Sequence, residues 1–124
     1  MRATLASILA DVCCVLVFVV IGRHVHGHGD TAAGIWQTAW PFLTGLALGL
    51  LAGRAWRRPG ALVPAGICAW IGAAGAGMVV RVLAGQGTAG AFIVVTFAFL
   101  GLFMLGWRTI AAGLRQFRHS RLAA

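Results

Sequence analysis

His24, His26 and His28 alternate in the stretch IGRHVHGHGD (residues 21–30), and Asp30 continues the beat. In an extended chain every second side chain shares a face, so this spacing is able to bring several metal ligands together. Gly27 and Gly29 break the stretch, however, and no cysteine or second acid joins it. A metal shell needs outer partners to hold its ligands in place. The metal reading therefore rests on spacing alone, and a solvated loop of titratable imidazoles stands against it.

The second residue with chemical potential is Asp11, in the run ADVCCVLVFVV. Asp11 and Asp30 are the only acids in the chain, which leaves little for acid–base catalysis. No Ser/His/Asp order, paired carboxylates, phosphate loop or Cys/His cluster is present, so no enzyme and no cofactor is expected. Cys13, Cys14 and Cys68 all lie in apolar runs. They follow neither a disulfide framework nor a zinc spacing, and behave as small hydrophobes.

The elements that must position these groups follow from composition. Of 124 residues 60% are hydrophobic and 10% charged, with a mean hydropathy of +0.93. A soluble domain carries far more polar surface. The net charge of +8 does not point to nucleic acid, because the arginines punctuate apolar runs instead of forming a face. A bilayer-spanning helix needs about 20 apolar residues. Four segments qualify, at about residues 3–22, 32–53, 61–83 and 89–107, with Pro59, Gly60, Gly85 and Gly87 at the reversals. The first segment is expected to be retained as a helix: an acid interrupts it and no small-residue cleavage site follows. The fold class is therefore all-α, a single integral membrane bundle of four transmembrane helices.

With four spans, Arg2, Arg54, Arg57, Arg58, Arg108, Arg115, Arg118 and Arg121 share one face, against Arg23 and Arg81 on the other. The positive-inside rule then places both termini in the cytoplasm, and the plasma membrane is the expected location. Trp56 and Trp107 fall at the inner boundary and Trp36 near the outer one, as interfacial aromatics do.

On this frame Asp11 lies roughly 12 Å into a core about 30 Å thick. Insertion there costs on the order of 2.5–3.5 kcal/mol, so the side chain is expected to face protein or water. Thr44 and Trp70 fall at similar depth, and their hydroxyl and indole N–H are candidate donors to it. Two readings stay open: a proton or cation site, or a hydrogen-bonded acid that joins helices. Arg23 and Arg81, near the outer ends of their spans, are candidates with His26 for binding an anionic head group or substrate. The alternative is that they snorkel to the interface.

Gly45, Gly49 and Gly53 on span two, and Ala69, Ala73 and Gly77 on span three, form small-residue stripes. Such stripes let helices approach closely, here against each other or against copies in an oligomer. Pro41 is expected to kink span two or mark its start, freeing a carbonyl near Gln37. Phe92, Phe97, Phe99 and Phe103 suit lipid contact. After Trp107, Ile110, Leu114 and Phe117 recur at helical spacing among Arg115, Arg118, His119 and Arg121. Residues 108–124 thus form a short amphipathic tail drawn to an anionic inner leaflet.

The stretches DVCCVLVFVVIGRHVH, TAWPFLTGLALG, RAWRRP, GMVVRVLAGQGTAGAF and LGWR together resemble the family called domain of unknown function 3054, small actinobacterial and archaeal membrane proteins. The likeness extends from about Asp11 to Arg108. It implies a four-helix membrane protein and assigns no activity. Asp11, Gly22, Arg23, His26, Trp40, Pro41, Gly45, Trp70, Gly77, Arg81 and Trp107 match its pattern, whereas His24 and His28 are peculiar to this chain.

Two functions follow as expectations. One is a small transporter or channel subunit, assembled as a homo-oligomer, that uses the membrane-embedded Asp11. The other is a non-catalytic accessory or assembly protein of a larger membrane complex, or a lipid-binding membrane protein.

Overall fold

In hydrocarbon, backbone N–H and C=O groups have no water to bond, so a chain this apolar satisfies them within helices. The computed structural model describes residues 2–25, 31–87 and 89–123. Its four long helices are α1 (Arg2–Val25), α2 (Ala32–Ala52), α3 (Leu62–Leu83) and α4 (Gly90–Ala123). All four are long and apolar enough to cross a membrane. The chain runs up and down, so the start of α1, the α2–α3 connection and the end of α4 meet at one end, here called the terminal end. There the Thr4 hydroxyl donates to the Trp56 carbonyl at 3.5 Å and Arg108 Nε donates to the Pro59 carbonyl at 3.0 Å.

Local sequence explains the helix ends. Thr31 caps α2, its Oγ1 accepting the Gly34 N–H at 3.1 Å. Pro41 sits buried inside α2 and has no N–H to give the fourth residue before it. The Gln37 carbonyl so released accepts a hydrogen bond from Gln86 Nε2 at 3.2 Å. Gly85 ends α3 with φ +79°, a backbone conformation that costs glycine nothing. In the α2–α3 connection Arg54 takes φ +50°.

Helix α3 is irregular. Two stretches depart from regular helix: Leu62–Gly66, where Val63 is extended with φ −121° and ψ 128°, and Gly72–Ala76, a wide, π-type turn. The second reads GAAGA, and it is where α2 comes nearest. A Cβ on Gly45 would overlap the Gly72 carbonyl and lie 2.6 Å from the Gly77 nitrogen. One on Gly49 would overlap the Cys68 carbonyl, and one on Gly72 would lie 2.6 Å from Gly49 Cα. One on Gly53 would lie 2.7 Å from Cys68 Cβ. The small residues of α2 are thus occupied inside the chain, against Cys68, Ala69, Gly72 and Gly77. The stripe leaves no free edge on α2 to argue for an oligomer. Ala69 and Ala73 are fully buried in the same seam.

The rest of the core is aromatic and centres on Phe18, whose ring lies 5.6 Å from Phe42, 6.2 Å from Phe92 and 5.1 Å from Phe99. This corrects the expectation that the phenylalanines of α4 face lipid. Phe92, Phe97 and Phe99 pack on the core, Phe97 standing edge-on to Trp70 at 6.0 Å, while Phe103 is exposed. A second correction concerns the tail. No break follows Trp107, and residues 108–123 continue α4, a helix of 34 residues. At 1.5 Å per residue this is about 51 Å, well beyond a core of about 30 Å. Apolar residues Ile110, Leu114 and Phe117 are exposed along the extension.

Candidate functional site

Asp11 is fully buried, on the face of α1 turned toward α4. Its donors are not Thr44 and Trp70. Arg108 Nη1 donates to Asp11 Oδ1 at 2.8 Å and Nη2 to Oδ2 at 2.7 Å, a two-pronged ion pair. Trp107 Nε1 adds a bond to Oδ1 at 2.9 Å. Both charged side chains are 0% exposed. Two further Arg108 N–H groups are used: Nη1 reaches the Met104 carbonyl at 3.1 Å and Nε the Pro59 carbonyl. The guanidinium carbon lies 4.4 Å from the Trp107 ring centre. A planar fork facing a carboxylate, with two further N–H groups bonded to backbone carbonyls, is the geometry that makes a buried ion pair tolerable.

The expected partners are occupied elsewhere. The Thr44 hydroxyl is exposed and donates to the Trp40 carbonyl one turn back at 2.9 Å. Trp70 Nε1 donates to the Phe97 carbonyl at 2.9 Å and so joins α3 to α4. Depth alone had suggested both residues, and depth does not fix helix rotation. Arg108 was missed because it follows the assumed end of span four and counts as one more topology arginine. The available signal was charge balance: one acid in an apolar span calls for a cation at a similar level. The pair LGWR offers both an arginine and an indole donor there.

At the far end, where α1 meets α2 and α3 meets α4, a cavity of about 450 Å³ opens between the helices. Gly22, Arg23, Gln37, Thr38, Arg81 and Gln86 line it, over Phe18, Val19 and Phe92. Arg81 Nη1 donates to Gln86 Oε1 at 2.8 Å, and Nη2 to the Gly87 carbonyl at 2.7 Å. Its guanidinium lies 4.8 Å from the Phe92 ring centre and 5.7 Å from that of Phe42. Its Nε is buried with no acceptor. Arg23 Nη1 donates to Thr38 Oγ1 at 3.0 Å across the α1–α2 seam. A Cβ on Gly34 would overlap the Arg23 guanidinium, so glycine there leaves space for it. The structure thus brings Arg23 and Arg81 to one cavity.

His24 is exposed at the end of α1. His26, His28 and Asp30 lie outside the described residues. Among the described residues no group of three or more His, Cys, Asp or Glu side chains gathers as a metal site would require.

Four membrane-length helices, locked at one end by a buried acid–arginine–indole cluster and open at the other onto an arginine-lined cavity, define a polytopic α-helical membrane protein. The chain belongs to the family described as Protein of unknown function (DUF3054), which it matches over residues 8–111. No curated protein and no solved structure matches it.

Proposed function

We propose that this chain is a non-catalytic membrane protein that takes an anionic amphiphile into the cavity at its far end, with Arg81 holding the anionic head. The observation that carries this is the environment of Arg81. Its acceptors are an amide oxygen and a backbone carbonyl, and no carboxylate among the described residues lies against it. A guanidinium partly drawn out of water, with a buried Nε that has no acceptor and no counter-charge beside it, carries a desolvation cost, and an arriving anion supplies the missing charge. Cavities between bundle helices are where small ligands bind, and about 450 Å³ is enough for a head and part of a chain. Phe18, Val19 and Phe92 offer the apolar wall.

In this reading the arginine bias places the far end outside and both termini in the cytoplasm of a plasma-membrane protein. Asp11 is then a clasp rather than a proton carrier, because Arg108 and Trp107 already occupy both its oxygens. That occupancy favours a binding role over a proton-coupled transporter subunit. Assembly with a larger complex has only the exposed apolar faces behind it, which lipid covers equally well.

The test is titration of the purified protein, in nanodiscs of phosphatidylcholine, with oleate and with the neutral amphiphile monoolein. Oleate is expected to bind, with affinity at least tenfold weaker in Arg81→Gln and unchanged in Arg118→Gln. Equal affinity of the wild type and Arg81→Gln for oleate, or equal affinity of the wild type for oleate and monoolein, overturns the proposal.

A further inference from the structure

The terminal end carries a second cavity, of about 510 Å³, between the first turns of α1, the α2–α3 connection and the part of α4 beyond Trp107. Arg57, Arg58 and Arg115 line it, with Ser7, Gly60 and Trp107. We infer that this cleft is a binding site for the phosphate monoester head of an anionic phospholipid, separate from the far-end cavity and independent of what that cavity binds.

Three observations support the assignment. The first is charge. Arg57, Arg58 and Arg115 all line this cleft, Arg57 and Arg58 also bordering a smaller one with Arg54, and among the described residues no carboxylate or carbonyl accepts from their side chains. The chain's acids number two. Asp11 is consumed by Arg108, and Asp30 falls in sequence between α1 and α2. The three side chains are exposed, so water screens much of their mutual repulsion, and a doubly charged phosphate is the anion that answers three arginines most fully. A phosphate monoester carries about −1.5 to −2 at pH 7 and offers three acceptor oxygens, which suits guanidinium forks.

The second observation is that the loop is held. Arg108 Nε bonds the Pro59 carbonyl at 3.0 Å, the Thr4 hydroxyl bonds the Trp56 carbonyl at 3.5 Å, and the Arg57 N–H bonds the Arg54 carbonyl at 3.0 Å. Backbone on both sides of Arg57 and Arg58 is therefore fixed to α1 and α4. Arg115 closes the cleft from α4, and a Cβ on Gly60 would lie only 3.3 Å from its Nη2. Glycine at this position lets the loop and Arg115 meet. Ordering of this kind before a ligand arrives lowers the cost of binding it.

The third observation is position. Trp107 lines the cleft, and it and the exposed Phe103, one turn before it on α4, present apolar faces toward the membrane interior. A phosphate seated between the arginines has its acyl chains against those faces. A soluble phosphate ester gains nothing from them, which favours a lipid as the source.

The experiment uses the full-length protein in phosphatidylcholine vesicles containing about one-tenth brominated lipid, with tryptophan quenching as the readout. Brominated phosphatidic acid is expected to quench several-fold more than brominated phosphatidylcholine, with brominated phosphatidylglycerol between them. The excess is expected to vanish in Arg57→Ala/Arg58→Ala/Arg115→Ala. It is expected to persist in Arg118→Ala/Arg121→Ala, which removes tail charge outside the cleft, and in Arg81→Gln. If the triple alanine protein fails to fold, the triple lysine variant keeps the charge but not the fork, and a clear loss of the phosphatidic acid preference is expected there. Equal quenching by phosphatidic acid and phosphatidylcholine overturns the inference, as does equal loss in the Arg118/Arg121 variant. Reversal of the excess by millimolar glycerol phosphate overturns the lipid assignment.

Discussion

An acid and an arginine placed together in hydrocarbon are each tolerable only because of the other. Asp11 offers two oxygens to two Arg108 nitrogens and to the Trp107 indole, so both charges are paired and each carboxylate oxygen accepts at least one hydrogen bond. Breaking such a pair by removing one member strands the other, at a cost of about 3–5 kcal/mol, whereas replacing both with apolar residues of similar size is often close to neutral. Arg108→Ala and Asp11→Ala are each expected to lower the unfolding midpoint in detergent strongly, and Asp11→Leu/Arg108→Met to recover most of the loss. Equal destabilisation by the double and single variants would refute the clasp. Trp107→Phe removes one donor and keeps the ring over Arg108, so a loss of about 1 kcal/mol is expected in the same measurement. Asp11→Asn separates the two roles weighed for the acid: a clasp predicts reduced stability with membrane proton flux unaltered, and a change in coupled flux would restore the carrier reading.

At the scale of elements, the α2–α3 seam has no slack. Gly49→Ala pushes a methyl into the Cys68 carbonyl, and overpacking of this kind costs about 1–3 kcal/mol. Gly106 and Gly113 of α4 have open space where a Cβ would go. Gly106→Ala is therefore expected to be neutral or to stabilise by up to about 1 kcal/mol through helix propensity. Parallel thermal unfolding of the two variants checks the contrast, and a neutral Gly49→Ala would count against the close approach. The extension of α4 behaves differently. Past Ala111 its side chains are exposed, so truncation after Gln116 is expected to leave the unfolding midpoint within about 0.5 kcal/mol of the full chain, the usual range for surface changes.

For the whole molecule, an even number of crossings puts both termini on one side, and the α1–α2 and α3–α4 connections on the other. The arginine count makes the terminal side cytoplasmic in the proposed orientation. In a cysteine-free background, Thr31→Cys is expected to react with an impermeant maleimide in intact cells. Ser120→Cys is expected to react only after permeabilisation. The opposite pattern would invert the far-end cavity and the three-arginine cleft together. The two cavities are otherwise independent, because the aromatic core around Phe18 and the Asp11–Arg108 pair lie between them.

How much of this was legible differs from residue to residue. Mean hydropathy, the spacing of Pro59, Gly60, Gly85 and Gly87, and the four apolar runs determined the helices, since burying an unpaired backbone group in lipid costs more than any competing local preference. The small residues of α2 and the carbonyl freed by Pro41 were visible for the same local reason, and so was the need of Asp11 for a partner. Which partner was not visible. Thr44 and Trp70 have the right depth but the wrong azimuth, and Arg108 has the right azimuth only because α4 runs on through the supposed boundary at Trp107. Rotation about a helix axis is set by the packing of all four helices at once, and Phe18, Gly45 and Gly72 make those contacts across the bundle. The order of residues along the chain holds the requirement for a counter-charge; the tertiary structure alone chooses the atom that meets it.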